Sequence, residues 1–126
     1  MSNTNYLTGK HGEEVAVLCL RQQGYRILAK NYKTRLGEID IVAEDAGTIC
    51  FVEVKMRKSD FLVHPKEAVG KEKQRRITCA ALMFLKENRL PQVKIRFDIV
   101  SVIRRGSQAT TELLKGAFQA QGNFSY

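Results

Sequence analysis

Apolar and polar residues follow two rhythms along this chain, and the changes between them divide it into elements. From about Gly9 to Gln23, Val15, Leu18, Cys19 and Gln22 recur at helical spacing, and Gly24 follows as a stop signal, so a helix is predicted there. Arg26 to Tyr32 reads as a short strand. From Glu38 to Ala43 the period is two, with Ile39, Ile41 and Ala43 on one face and Glu38, Asp40 and Val42 on the other. Asp45-Ala46-Gly47 is a turn signal, and Thr48 to Met56 reads as the returning strand of an antiparallel hairpin. In that strand Ile49, Phe51, Glu53 and Lys55 share one face, and Cys50, Val52, Val54 and Met56 the other.

After a loop around Ser59 to Pro65, a second amphipathic helix is predicted from Gly70 to Asn88, with Ile77, Ala80, Ala81 and Phe84 as its inner stripe. Leu90-Pro91 breaks it, and Lys94 to Ile103 is a strong strand closed by the turn Arg104-Arg105-Gly106-Ser107. Thr110 to Phe118 fits either a last strand or a short helix, and Gln119 to Tyr126 reads as a mobile tail. No repeat, linker or low-complexity segment interrupts this order, so residues 1–118 form one expected domain. Helix, three strands, helix, strand argues for an α/β fold with a mixed sheet and helices on its faces.

Composition narrows the class. A chain of 126 residues with 44% hydrophobic and 27% charged positions fits one globular domain with a packed core. The polar stretch Met1 to Lys10 gives no sign of a secretory signal or anchor, and no apolar run nears the roughly 20 residues of a membrane span. Cys19, Cys50 and Cys79 are odd in number and widely spaced, which suits reduced core thiols of a cytoplasmic protein rather than a zinc site. Twenty-one Lys and Arg against thirteen Asp and Glu leave a formal charge of +8. A basic surface of this kind attracts phosphate-rich polymers. The clustering of Lys66, Lys71, Lys73, Arg75 and Arg76 makes a patch that strengthens the nucleic-acid reading, although a solvated helix face accounts for part of it.

The candidate chemistry lies in the hairpin. Glu53 and Lys55, two apart on a strand, project from one face, and a two-residue turn centred on Ala46-Gly47 sets Asp40 directly opposite Glu53. Two facing carboxylates repel unless a cation lies between them. Mg²⁺, which takes oxygen ligands and needs only one or two carboxylates, is the natural candidate. Glu and Lys two apart are also common on solvated sheets, where such a pair contributes at most about 1 kcal/mol. Here the flanking Ile49, Cys50, Phe51, Val52 and Val54 are apolar on both faces, which marks a buried central strand in which unpaired charges are costly.

Asp40 followed by Glu53-x-Lys55 resembles the PD-(D/E)XK signature of the restriction-endonuclease-like nucleases. The likeness extends to the bacterial YraN-like family, relatives of the archaeal Holliday junction resolvases. It is carried by Gly9-x-x-Gly12-Glu13-x-x-Ala16, Gly24-Tyr25, Asn31-Tyr32 and Gly37-Glu38-Ile39-Asp40. Further on it is carried by Phe51-Val52-Glu53-Val54-Lys55-x-Arg57, Glu67-Ala68-Val69 with Lys73, Arg96-Phe97-Asp98 and Ala117-Phe118. The resemblance implies a three-layer restriction-endonuclease-like fold with an αβββαβ core. It implies that Asp40, Glu53 and the Val54 carbonyl hold Mg²⁺ or Mn²⁺, and that Lys55 orients or deprotonates the attacking water. Glu13 matches a helical glutamate that completes the site in the resolvases, although a carboxylate near a helix N-terminus is stabilised there in any case. Met56 departs from the small hydroxyl residue frequent in the family and faces away from Lys55.

The implied activity is metal-dependent endonucleolytic hydrolysis of DNA, with branched or recombining DNA as substrate and a homodimer as the acting form. Lys71, Lys73, Arg75, Arg76 and Arg57 would hold the phosphate backbone without reading bases. The alternative is a nucleic-acid-binding module that keeps the fold without turnover; the intact Asp40, Glu53 and Lys55 favour the enzyme. His11 and His64 are isolated, and Asp98 beside Arg96 reads as a structural ion pair.

Overall fold

A computed structural model describes residues 10–58, 69–90 and 92–122. The segment Met1–Gly9, the loop Ser59–Pro65 with His64, Lys66, Glu67-Ala68, Pro91 and residues 123–126 lie outside the described part. The order is α1 (Lys10–Gln22), β1 (Arg26–Lys33), β2 (Glu38–Asp45), β3 (Thr48–Lys58), α2 (Lys71–Glu87), β4 (Lys94–Arg105) and β5 (Gln108–Phe118). The strands form one sheet in the order β1-β2-β3-β4-β5, so β3 is central. Its pairing with β4 is parallel and the other three pairings are antiparallel. A mixed sheet with a helix on each face is the three-layer α/β arrangement expected, and the final segment resolves as a strand.

Two apolar clusters hold the layers together, one on each face of the sheet. On one face Ile77, Ala80, Ala81, Phe84 and Leu85 of α2 meet Val42, Ile49, Phe51, Phe97 and Ile99. Phe51 packs edge-on to Phe84, with ring centroids 6.0 Å apart. Such a fully buried ring contributes about 1.5–3 kcal/mol, which fixes α2 over the middle of β3. On the other face Ala16, Val17, Cys19 and Leu20 of α1 meet Ile41, Ala43, Cys50, Val52, Val100 and Val102.

Several expectations shift by a residue or a face. The buried stripe of α1 is Ala16, Cys19 and Leu20 with Val17, whereas Leu18 is 58% exposed and Gln22 is exposed. The same i, i+3, i+4 spacing fits both stripes, and small Ala16 allows the close approach that chooses between them. Ile39 joins the α2-side cluster while Ile41 and Ala43 join the α1-side one. The described β2–β3 ladder runs from Asp45–Thr48 to Ile41–Val52, so beyond Ile41 the alternation is no longer held by pairing on both sides. Of the expected tail, residues 119–122 are described. Ala120 packs on the α2-side core, and the Gln121 N–H donates to Thr78 Oγ1 at 3.1 Å.

Candidate active site

The hairpin positions the site. Ala46 and Gly47 form its two-residue turn with φ of 50° and 92°. Positive φ at both central residues is the type I′ geometry that matches the twist of paired strands. The resulting register ends at Ile41–Val52, and Asp40 and Glu53 follow directly beyond that last pair, their carboxyl groups in contact. Here the side chain of Asp40 enters the space between the strands, and the Val54 N–H donates to its Oδ2 at 2.8 Å. A strand residue's N–H and C=O open toward the same neighbour, so the Val54 carbonyl also faces the Asp40 side.

Glu53 is only 4% exposed, on the α2 face of the central strand. Its Oε2 lies 3.9 Å from Lys55 Nζ and forms an ion pair with Lys73, which reaches down from the first turn of α2. Two carboxyl groups and two ammonium groups therefore meet above the middle of the sheet. Burial, then the charge of Glu53 with which it is in hydrogen-bonding contact, pushes the Asp40 carboxyl up to about 7, against the pull of the Val54 N–H and Lys73. Burial pulls the Lys73 ammonium down, but the hydrogen bond to Glu53 and the charges of Glu53 and Asp40 outweigh it and leave the group above its ordinary value.

These residues fit a hard divalent cation. Among the described residues no three His, Cys, Asp or Glu side chains converge as a ligand cage. Mg²⁺ and Mn²⁺ do not need one: two carboxylates and a carbonyl leave positions for water and phosphate oxygens. The raised Asp40 carboxyl reflects burial first and the neighbouring Glu53 charge second, neither of which the Val54 N–H and Lys73 fully offset.

The other candidate residues are distributed around this centre. Glu13 sits in the first turn of α1, the helix on the opposite face of the sheet from α2. Neighbouring Gly12 lies against Met56, whose Sδ would be 2.2 Å from a Cβ at position 12. Met56 thus faces away from Lys55 as expected. The basic patch on α2 is divided by helical spacing. Lys73 and Arg76 line an open cleft of about 590 Å³ between α2 and the β1–β2 turn. Lys71 and Arg75 point to solvent, and Arg75 and Arg76 share Glu72 at 3.2 and 3.8 Å. Arg57, at the far end of β3, pairs with Glu112 of β5 at 3.5 Å.

Sequence reasoning passed over two features. Ser101 pairs with Lys55 across the parallel β3–β4 ladder and is wholly buried, and its Oγ has no hydrogen-bond partner among the described residues. The signal for it was a lone hydroxyl in the apolar run of β4. Lys33 and Arg35 join the cleft from the β1–β2 turn, and their signal was a short basic run before Gly37-Glu38. Asp98, by contrast, behaves as the structural ion pair expected, bonded to Arg96 Nε at 2.9 Å and to the Tyr25 hydroxyl at 2.8 Å.

Residues 12–102 match the profile of the Uncharacterised protein family UPF0102. A UPF0102 protein of Syntrophus aciditrophicus is 48% identical over 115 residues, covering 91% of each chain. One from Myxococcus xanthus is 44% identical over 112 residues and covers 89% of each. A third, from Desulfosudis oleivorans, is 42% identical over 120 residues, covering 95% of this chain and 96% of its own. With a match running from α1 into β4 and relatives similar along nearly their whole length, the chain belongs to the UPF0102 family, the YraN family its motifs resemble.

Proposed function

We propose that the protein is a metal-dependent endonuclease that hydrolyses phosphodiester bonds in DNA, with Asp40, Glu53 and Lys55 at its reaction centre. The observation that carries this reading is the meeting of Asp40 and Glu53 carboxyl groups on a central strand, beside Lys55 and Lys73. Asp40, Glu53 and the Val54 carbonyl would hold Mg²⁺ or Mn²⁺, which supplies Lewis-acid polarisation of the phosphate and acidifies bound water. The Val54 N–H holds the Asp40 carboxylate in place for that role. Lys55, half-buried on the same face as Glu53, orients the attacking water and offsets charge developing on the phosphate oxygens. Lys73 anchors Glu53 and presents a second positive charge at the mouth of the cleft. As the water oxygen bonds to phosphorus, the bond to the 3′ oxygen breaks. A 5′-phosphate and a 3′-hydroxyl result, the water proton passing to solvent and the leaving oxygen taking one up from solvent.

The net charge of +8 and the motif likeness to junction resolvases support nucleic acid as the partner, and branched DNA as the form to test first. The test is cleavage of a labelled panel of linear, flapped and four-way DNA in Mg²⁺. Nicking that is lost in Glu53→Ala, while binding in EDTA persists, supports the enzyme. Steeply salt-dependent binding with no nicking in either Mg²⁺ or Mn²⁺ overturns it in favour of a binding module.

A further inference from the structure

The β1–β2 turn is built more rigidly than its length requires. The Thr34 N–H and hydroxyl both donate to the Gly37 carbonyl at 2.8 Å, and the Leu36 and Gly37 N–H groups donate to Thr34 Oγ1 at 3.1 and 3.0 Å. Gly37 is pressed onto α2 so closely that a Cβ there would lie 2.4 Å from the Arg76 carbonyl oxygen. Nothing in this clamp covers Leu36, which is 51% exposed at the tip. A single exposed leucine is ordinary on a surface. One held at the tip of a braced turn, beside a cleft, is placed to pack against something.

That cleft, about 590 Å³, carries Lys33 and Arg35 from the turn and Lys73 and Arg76 from α2, against Glu38 as its one carboxylate among the described residues. Leu36 supplies the exposed apolar surface among the cations, with the buried Ile77 behind it. Its volume is in the range that seats one small ligand. Positive groups at the rim and apolar side chains on the wall match one unstacked nucleotide, phosphate outward and base inward. Lys73 belongs to both the cleft and the ion pair with Glu53, so the cleft adjoins the proposed reaction centre.

We infer that the cleft between the β1–β2 turn and α2 takes an unpaired nucleotide adjoining the cleaved phosphate, with Leu36 packed on its base, and thereby selects unpaired or branched DNA over continuous duplex. This rests on the endonuclease reading for the position of the cut and deepens it by naming the substrate class. Apolar side chains that enter a base stack act in this way, and a base–side-chain contact changes affinity by about tenfold or more.

The experiment measures binding of the full chain by fluorescence anisotropy in EDTA, using a single strand, a flapped duplex and a plain duplex of matched length. Leu36→Ser is expected to weaken binding to the first two by about tenfold while leaving the plain duplex within about twofold, and Leu36→Phe to restore it. Equal loss on all three, or no loss on any, overturns the inference. Binding in EDTA does not require cutting, so the two readings fail separately. A Leu36 effect without metal-dependent cleavage sinks only the nuclease. Cleavage that is indifferent to Leu36, with unpaired and paired DNA affected alike, sinks only the cleft.

Discussion

Asp40→Asn should stabilise the metal-free protein, and the gain should depend on pH. The Asp40 carboxyl rises from an ordinary 3.8 to about 7 in the fold. At about 1.36 kcal/mol per unit, that shift sets a ceiling of about 4 kcal/mol on the cost of holding Asp40 ionised there above pH 7. An asparagine oxygen still accepts the Val54 N–H, but as a weaker neutral partner, and the attraction to Lys73 is lost, so a net gain of about 2 kcal/mol is expected. For a chain of this size that corresponds to a Tm increase of about 6–10 °C. The folded state holds its proton more tightly than the unfolded one, so wild-type stability falls as pH rises from about 4 to about 7. At pH 5 much of the penalty has been relieved by protonation, and the advantage of the variant should shrink by more than half. Thermal unfolding in EDTA at pH 5 and pH 8, repeated with Mg²⁺, is the assay. Mg²⁺ should raise the wild-type Tm at pH 8 and leave the variant unmoved. A variant that melts lower than wild type at pH 8, or higher by the same margin at both pH values, would show that no repulsion is stored at this site.

Lys73→Met should cost about 1–2 kcal/mol in urea unfolding, because Glu53 keeps its burial and loses the nearer of its two ammonium partners, and should lower cleavage by about a hundredfold if that ammonium also faces the phosphate. Gly37→Ala should cost about 2–3 kcal/mol, since the obstacle is helix backbone. Gly12→Ala, which meets only the end of the half-exposed Met56 side chain, should cost less than about 1 kcal/mol and recover in the Met56→Ala background, again read in urea. Asp98→Asn should cost about 3–5 kcal/mol by circular dichroism melts, because Arg96 would lose its buried counter-charge; a loss below about 1 kcal/mol would show that the pair carries no such burden.

Much of this arrangement is legible in the residues because the local signals agree with the fold. The Ala46-Gly47 turn fixes the hairpin length, the length fixes the register as far as Ile41–Val52, and Asp40 and Glu53 are the next residues beyond that pair. The apolar run on both faces of β3 likewise announces a central strand. What the sequence hides is set by tertiary approach. Nothing local says that Lys73 rather than Lys71 turns inward, because that depends on how α2 is rotated over Phe51 and Phe97. Leu18 and Leu20 are equally apolar in the chain, and only the packing of Ala16 against the sheet exposes one and buries the other. The turn at Thr34–Gly37 escapes notice because its rigidity comes from one hydroxyl and its position from contact with a helix forty residues later.

Two buried carboxylate centres occupy the sheet, and the contrast between them separates structure from function. Asp98, fully buried, accepts hydrogen bonds from the Tyr25 hydroxyl, Arg96 and the Gly116 N–H, and Arg96 continues to Asp45 at 2.8 Å. The like charge of Asp45 is kept apart by Arg96 and Lys115, so no pair of acids faces another there. Burial, then the hydrogen bond to Asp98, pushes the Tyr25 hydroxyl far above its ordinary range, which keeps it a neutral donor at any pH the fold survives. Every group in that network has an opposite or a donor, as stability alone demands. On the α2 face the same chain sets Asp40 against Glu53 and leaves the Ser101 hydroxyl unpaired among the described residues. A fold that satisfies five polar side chains in one network has the means to satisfy these as well. A raised acid beside a second carboxylate, two lysines and a basic cleft is the feature on which the proposed metal and phosphate site rests.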